Sequence, residues 1–98
     1  MKQLEKVKIV KNVQVLNPLG LHTRPATIIA QMLQESRCCV TFTYGHETIN
    51  AKSVLGILLL AASQNGWIEI AVEGEDDDAR RTMKRLIQAF EKKFGEGG

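Results

Sequence analysis

Val40-Thr41-Phe42-Thr43-Tyr44-Gly45-His46-Glu47-Thr48-Ile49-Asn50-Ala51-Lys52 reads as a β-hairpin. Val40 and Phe42 alternate with Thr41 and Thr43. Tyr44-Gly45-His46-Glu47 supplies the turn, and Ile49 and Ala51 then alternate with Asn50 and Lys52. A period of two sends successive side chains to opposite faces, so such a hairpin has one face covered by the rest of the molecule and one polar. It implies an antiparallel sheet with an apolar layer on one side.

On the N-terminal side, Ala26, Ile29, Ala30 and Leu33 recur at three and four, which predicts an amphipathic helix from Thr23 to about Glu35. Before it, Val13 and Val15 alternate with Asn12 and Gln14, a strand ending near Leu16 at the turn Asn17-Pro18-Leu19-Gly20. On the C-terminal side, Ser53 is a good N-cap for a short apolar helix. Asn65-Gly66 turns the chain into a last strand, Trp67 to Glu73, where Ile68, Ile70 and Val72 alternate with Trp67, Glu69 and Ala71, and Gly74 closes it. The final helix opens with Glu75-Asp76-Asp77-Asp78 and has Lys92 and Lys93 near its end, charges that suit the helix dipole. Ala79, Met83, Leu86, Ile87 and Phe90 form its apolar stripe. The order β-α-β-β-α-β-α implies an α+β two-layer open-faced sandwich, a four-stranded antiparallel sheet with three helices on one face.

A chain of 98 residues, 44% hydrophobic, supports one domain with one modest core. The reading places it at residues 12–94, with an N-terminal extension at 1–11 and a flexible tail at 95–98. The greasiest stretch, Val54 to Ala62, falls far short of a membrane span, and residues 1–6 lack the hydrophobic middle of a secretion signal. A cytoplasmic location is the expectation. Cys38 and Cys39 are adjacent in a strand-like segment, so a bridge between them would distort the backbone; both read as reduced thiols, one turned inward and one outward. No second Cys or His pair stands at ligand spacing, and neither a metal nor a cofactor is expected. A net charge of +2, with the basic residues spread along the chain, gives no footprint for nucleic acid.

The chemistry concentrates at Gly20-Leu21-His22-Thr23-Arg24-Pro25-Ala26. Pro25 fits only the first turn of a helix, which places His22 at the N-terminus of the first helix. Unpaired backbone N–H groups and the positive end of the dipole converge there, and Arg24 adds a guanidinium. The segment suits a phosphoryl group held on a nitrogen nucleophile, with Thr23 and Arg24 as phosphate-binding residues.

Three segments, in this order and with these intervening elements, carry a family resemblance: the one just quoted; Asn50-Ala51-Lys52-Ser53-Val54-Leu55-Gly56-Ile57; and Glu73-Gly74-Glu75-Asp76. Over roughly residues 12–92 the chain resembles the HPr family, the histidine-containing phosphocarrier proteins of the bacterial phosphoenolpyruvate-dependent phosphotransferase system. The resemblance implies a carrier rather than an enzyme, with His22 as phosphoryl acceptor and Arg24 as its charge partner. Enzyme I is the implied donor, and sugar-specific enzyme IIA domains are the implied acceptors. Ser53 matches the serine that a dedicated kinase/phosphorylase modifies in many members.

Val54, Leu55 and Leu58 are expected in an exposed docking patch rimmed by Thr23, Thr27 and Lys52, while Ile57, Leu59 and Leu60 are assigned to the core. The chain is expected to act as a monomer, without nucleic acid or membrane. Two alternatives remain open at this point. A nitrogen-related regulatory phosphocarrier would use His22 identically. A non-catalytic binding module, for example for RNA, would want aromatics on the open sheet face, where alternation offers only Trp67 and Tyr44.

Overall fold

The computed structural model describes residues 5–97. Seven regular elements follow in the expected order: β1 (Lys6–Gln14), α1 (Thr23–Gln34), β2 (Cys39–Tyr44), β3 (Glu47–Asn50), α2 (Val54–Leu60), β4 (Trp67–Glu75) and α3 (Asp76–Glu91). Among the described residues, a 3-10 turn, Lys93–Gly95, follows α3 as the last regular element. The strands form one sheet in the order β1-β4-β2-β3, with every neighbouring pair antiparallel.

Strict alternation builds the core. On β4, Ile68, Ile70 and Val72 are fully buried while Trp67, Glu69 and Glu73 face outward. Val13, Val40 and Phe42 present the same inner face on β1 and β2. Against it pack Ala26, Ile29 and Leu33 of α1, Ile57 and Leu60 of α2, and Ala79, Met83, Leu86 and Phe90 of α3. Phe42 and Phe90 meet edge to face with ring centroids 5.9 Å apart, joining the middle of the sheet to the last helix.

The structure departs from the sequence reading along the C-terminal part of β4. Residues 6–11, read as part of an extension, form the outer stretch of β1 and pair with β4 from Lys6 opposite Glu75 to Lys11 opposite Ile70. Val7 and Ile9 alternate with Lys6 and Lys8 there, but the alternation breaks at Val10 and Lys11, where an exposed lysine takes the position between Ile9 and Val13 on the inner face. Gly74 does not close β4; the strand runs on through it to Glu75. A Cβ at Gly74 would stand 2.8 Å from Cys38 Sγ, so the glycine lets the strand lie directly over that buried thiol. Cys38 is buried and Cys39 exposed, both as free thiols. Residues 1–4 and 98, which belong to the expected extension and tail, lie outside the described residues.

Gly20 positions the segment that carries His22. It adopts φ +68°, and a Cβ there would come within 2.3 Å of the Ala62 carbonyl oxygen. The next residue, Leu21, donates its N–H to that same oxygen at 3.0 Å. The start of α1 is thereby pinned to the end of α2.

Candidate functional site

His22 is the N-cap of α1, with extended backbone (φ −77°, ψ −169°), and its carbonyl accepts the N–H of Ala26 at 3.0 Å. Its side chain makes no cap bond to the helix and remains 32% exposed. Pro25 is buried as the third helical residue; having no N–H, it supplies no donor to the site. The N–H groups of Thr23 and Arg24 open the helix, where no preceding turn supplies carbonyls to accept them. Both residues are exposed. Thr27 is half-buried, and its hydroxyl donates back to the Thr23 carbonyl at 2.8 Å, which holds the first turn together.

The sequence reading surrounded His22 with positive features only, and the structure adds a carboxylate. Glu96 places Oε2 at 2.9 Å and Oε1 at 3.2 Å from His22 Nε2. Its side chain is only 17% exposed. The fully buried Asn17 donates from Nδ2 to Glu96 Oε1 at 2.5 Å and to the Lys93 carbonyl at 2.9 Å. Neither Asn17 nor Glu96 stood out in the sequence. Asn17 reads as a turn residue before a proline, and Glu96 as one acid in a glycine-rich end. A usable signal was Phe94, which continues the four-residue spacing from Phe90 beyond the end of α3; it is buried, with its ring centroid 4.8 Å from that of Phe90. The terminal segment read as flexible tail is therefore docked at least as far as Glu96.

The hydrogen bond from Asn17 holds the Glu96 carboxyl below the usual carboxylate range, aided by the hydrogen bond and charge of His22 and by the charge of Arg24, against partial desolvation. A carboxyl whose folded value is depressed contributes stability that is present above its ordinary value and lost as pH falls through the folded one. The tail is accordingly expected to stay docked at neutral pH and to loosen on acidification below the usual carboxylate range. Carboxyl and Asn17 side-chain amide NMR shifts moving together with pH would report this. An Asn17 amide indifferent to Glu96 protonation would contradict it.

Ser53 is the N-cap of α2, and its Oγ accepts the Gly56 N–H at 2.9 Å. The full length of α2 separates it from the His22 end, roughly 10 Å at the helical rise. Lys52 sits with Ser53 rather than with His22, and its ammonium donates to the Ser36 carbonyl beyond the end of α1 at 2.8 Å.

The expected patch is redistributed. Leu55 is exposed (66%), but Val54 and Leu58 are partly buried against the core, and Leu59, assigned to the core, is exposed (71%). Helical spacing explains this. Ile57 and Leu60 claim the inward side of a seven-residue helix, and Leu55 and Leu59, four apart, share the outward side. Leu19 is also exposed (77%), in the turn that precedes the Gly20–Ala62 junction.

Comparison with known proteins decides the family. Residues 9–92 match the family model described as PTS HPr component phosphorylation site. The chain belongs to the HPr family. It is 43% identical over 82 residues to a phosphocarrier protein HPr of Chlamydia muridarum, covering 84% of this chain and 77% of that one. It is 34% identical over 88 residues to the HPr of Treponema pallidum, covering 90% and 98%. The crystal structure of HPr-C-His from Thermoanaerobacter tengcongensis superposes with a TM-score of 0.84 at 31% identity, covering 92% of this chain and 99% of that one. An HPr of Bacillus anthracis superposes at 0.78, again at 31% identity, with coverages of 85% and 96%. As an HPr-family member the chain is a phosphocarrier of the phosphotransferase system rather than a catalyst. Among the described residues, no helix is long and apolar enough to cross a membrane.

Proposed function

We propose that His22 accepts a phosphoryl group from phosphorylated Enzyme I and passes it to enzyme IIA domains for sugar uptake, the protein acting as a cytoplasmic monomer. The observation that carries this reading is the imidazole, one-third exposed at the N-cap of α1 where backbone donors open the helix and Arg24 follows two residues on, in a chain of the HPr family. Imidazole is a good nucleophile near neutral pH, and its phosphoramidate remains a good donor. Phosphoryl transfer requires in-line alignment and stabilisation of spreading negative charge more than covalent help from the protein. The Thr23 and Arg24 N–H groups and the planar fork of Arg24 supply that stabilisation without enclosing the group, so that it can leave again.

Docking falls to the exposed apolar residues of α2 and of the turn before α1. Leu55 and Leu59 on α2, with Leu19, offer aliphatic surface, and Thr23 and Thr27 a polar rim. Incubation with phosphoenolpyruvate and Enzyme I, followed by mass spectrometry, tests the reading: one acid-labile phosphate on His22 is expected, and a chain that stays unmodified would refute it.

Regulation at Ser53 by a serine kinase/phosphorylase is the second part of the proposal. Its hydroxyl caps α2, where negative charge is welcome, next to the exposed Leu55. Ser53→Asp is expected to keep the cap, and with it the fold, while placing a carboxylate at the edge of the docking surface. The KM for Enzyme I is expected to rise several-fold with little change in the rate at saturation. An unchanged KM would place Ser53 outside the interface and leave it as a helix cap alone.

A further inference from the structure

Glu96 reaches His22 across 74 positions of sequence, and three features hold it there. Phe94 is buried edge-on against Phe90. Lys93 and Phe94 both adopt left-handed backbone, φ 54° each, which reverses the chain after α3. That conformation is unfavourable for residues with a Cβ, and two in succession persist only where surrounding contacts impose them. Asn17, fully buried, ties the Lys93 carbonyl and the Glu96 carboxylate together through one amide nitrogen.

A carboxylate accepts hydrogen bonds and cannot donate them. Nε2 of His22 therefore carries the hydrogen in this contact, and Nδ1 is the ring nitrogen left with a lone pair. We propose that Glu96 is a positioning residue for phosphoryl acceptance: by holding the Nε2–H of His22 it fixes the tautomer and orientation of the ring and makes Nδ1 the nucleophile. The inference rests on the carrier reading of His22.

The electron and proton count supports the role. The Nδ1 lone pair forms the new bond to phosphorus while the P–N bond of the donor phosphohistidine breaks. Its electron pair returns to the donor ring, which enters protonated on its other nitrogen and leaves as neutral imidazole. His22 keeps its Nε2 proton and becomes a cationic phosphoimidazolium, so positive charge arises on the ring 2.9 Å from a Glu96 oxygen. A hydrogen bond that gains charge strengthens, and Glu96 thus favours the transition state over the resting ring. A carboxylate orients the histidine of a serine-protease triad in the same way.

Ring-nitrogen NMR of His22 in the whole chain, with phosphorus NMR after incubation with phosphoenolpyruvate and Enzyme I, tests this. The neutral ring is expected in the Nε2–H tautomer and the phosphoryl group on Nδ1. In Glu96→Gln the single amide oxygen stays with Asn17, and the amide nitrogen turns a donor toward His22. The tautomer is then expected to shift to Nδ1–H, and the transfer rate at saturating Enzyme I to fall about tenfold or more with KM unchanged. Glu96→Ala, which offers neither donor nor acceptor, is expected to give mixed tautomers and a smaller loss. Unshifted Phe94 signals would show the tail still seated in both variants. A wild-type ring in the Nδ1–H form overturns the proposal, as do variants with wild-type tautomer and rate. If the wild-type chain takes up no phosphoryl group, the carrier reading falls and Glu96 loses its role in transfer; the ring spectrum separates that failure from a failure of the contact.

Discussion

His22→Ala is expected to carry no acid-labile phosphate after incubation with phosphoenolpyruvate and Enzyme I, a loss on the order of 10³-fold or more in transfer, because no other side chain can replace the missing nitrogen. His46, the only other histidine, is exposed in the β2–β3 turn, away from any helix N-terminus. The fold should survive: the side chain of His22 is one-third exposed and makes no cap bond to α1, so the melting temperature is expected to move by no more than a few degrees. A folded His22→Ala protein still carrying acid-labile phosphate would move the acceptor elsewhere.

Gly20→Ala is expected to damage the fold rather than the chemistry. The substitution meets two penalties together. Left-handed backbone costs a residue with a Cβ roughly 1–2 kcal/mol. The new methyl would also stand 2.3 Å from the Ala62 carbonyl oxygen, a backbone atom that cannot swing away as a side-chain end could. Relieving that overlap means parting the start of α1 from the end of α2 and losing the bond from Leu21 to Ala62. About 3 kcal/mol of destabilisation is expected in all, a fall in Tm of roughly 12–24 °C for a domain of this size. Thermal unfolding followed by circular dichroism would measure it, and a fall of only a few degrees would show that the Gly20–Ala62 junction yields easily. Since His22 lies two residues beyond, phosphoryl acceptance is expected to decline in the mutant even well below its melting temperature, through misplacement of the ring.

The order of the elements, the antiparallel hairpin and the caps at His22 and Ser53 were legible because each is written in a few neighbouring residues. Alternation over Val40 to Thr43 and over Trp67 to Glu73 is enforced by the pleat. The three- and four-residue spacing of α1 is enforced by the helical turn, and Pro25 and Ser53 mark helix starts through backbone donors within one turn of themselves. These are short-range constraints, which a linear reading can evaluate directly. The family resemblance rested on the same local segments.

What lay beyond such a reading depended on where separated elements meet. The outer part of β1 is a strand because β4 runs on past Gly74, and that extension in turn requires the absence of a side chain over Cys38. Leu59 is exposed because a seven-residue helix can turn only one side inward, and contact with the sheet and α1 decides which. Glu96 and Asn17 join the site because Phe94 finds Phe90 and the backbone doubles back after α3. The sequence by itself determined the elements, their order and the histidine at a helix start. Only the tertiary structure decided that a carboxylate from the far end of the chain faces that histidine, since the hydrogen bond joins groups whose proximity is created by packing a core between them.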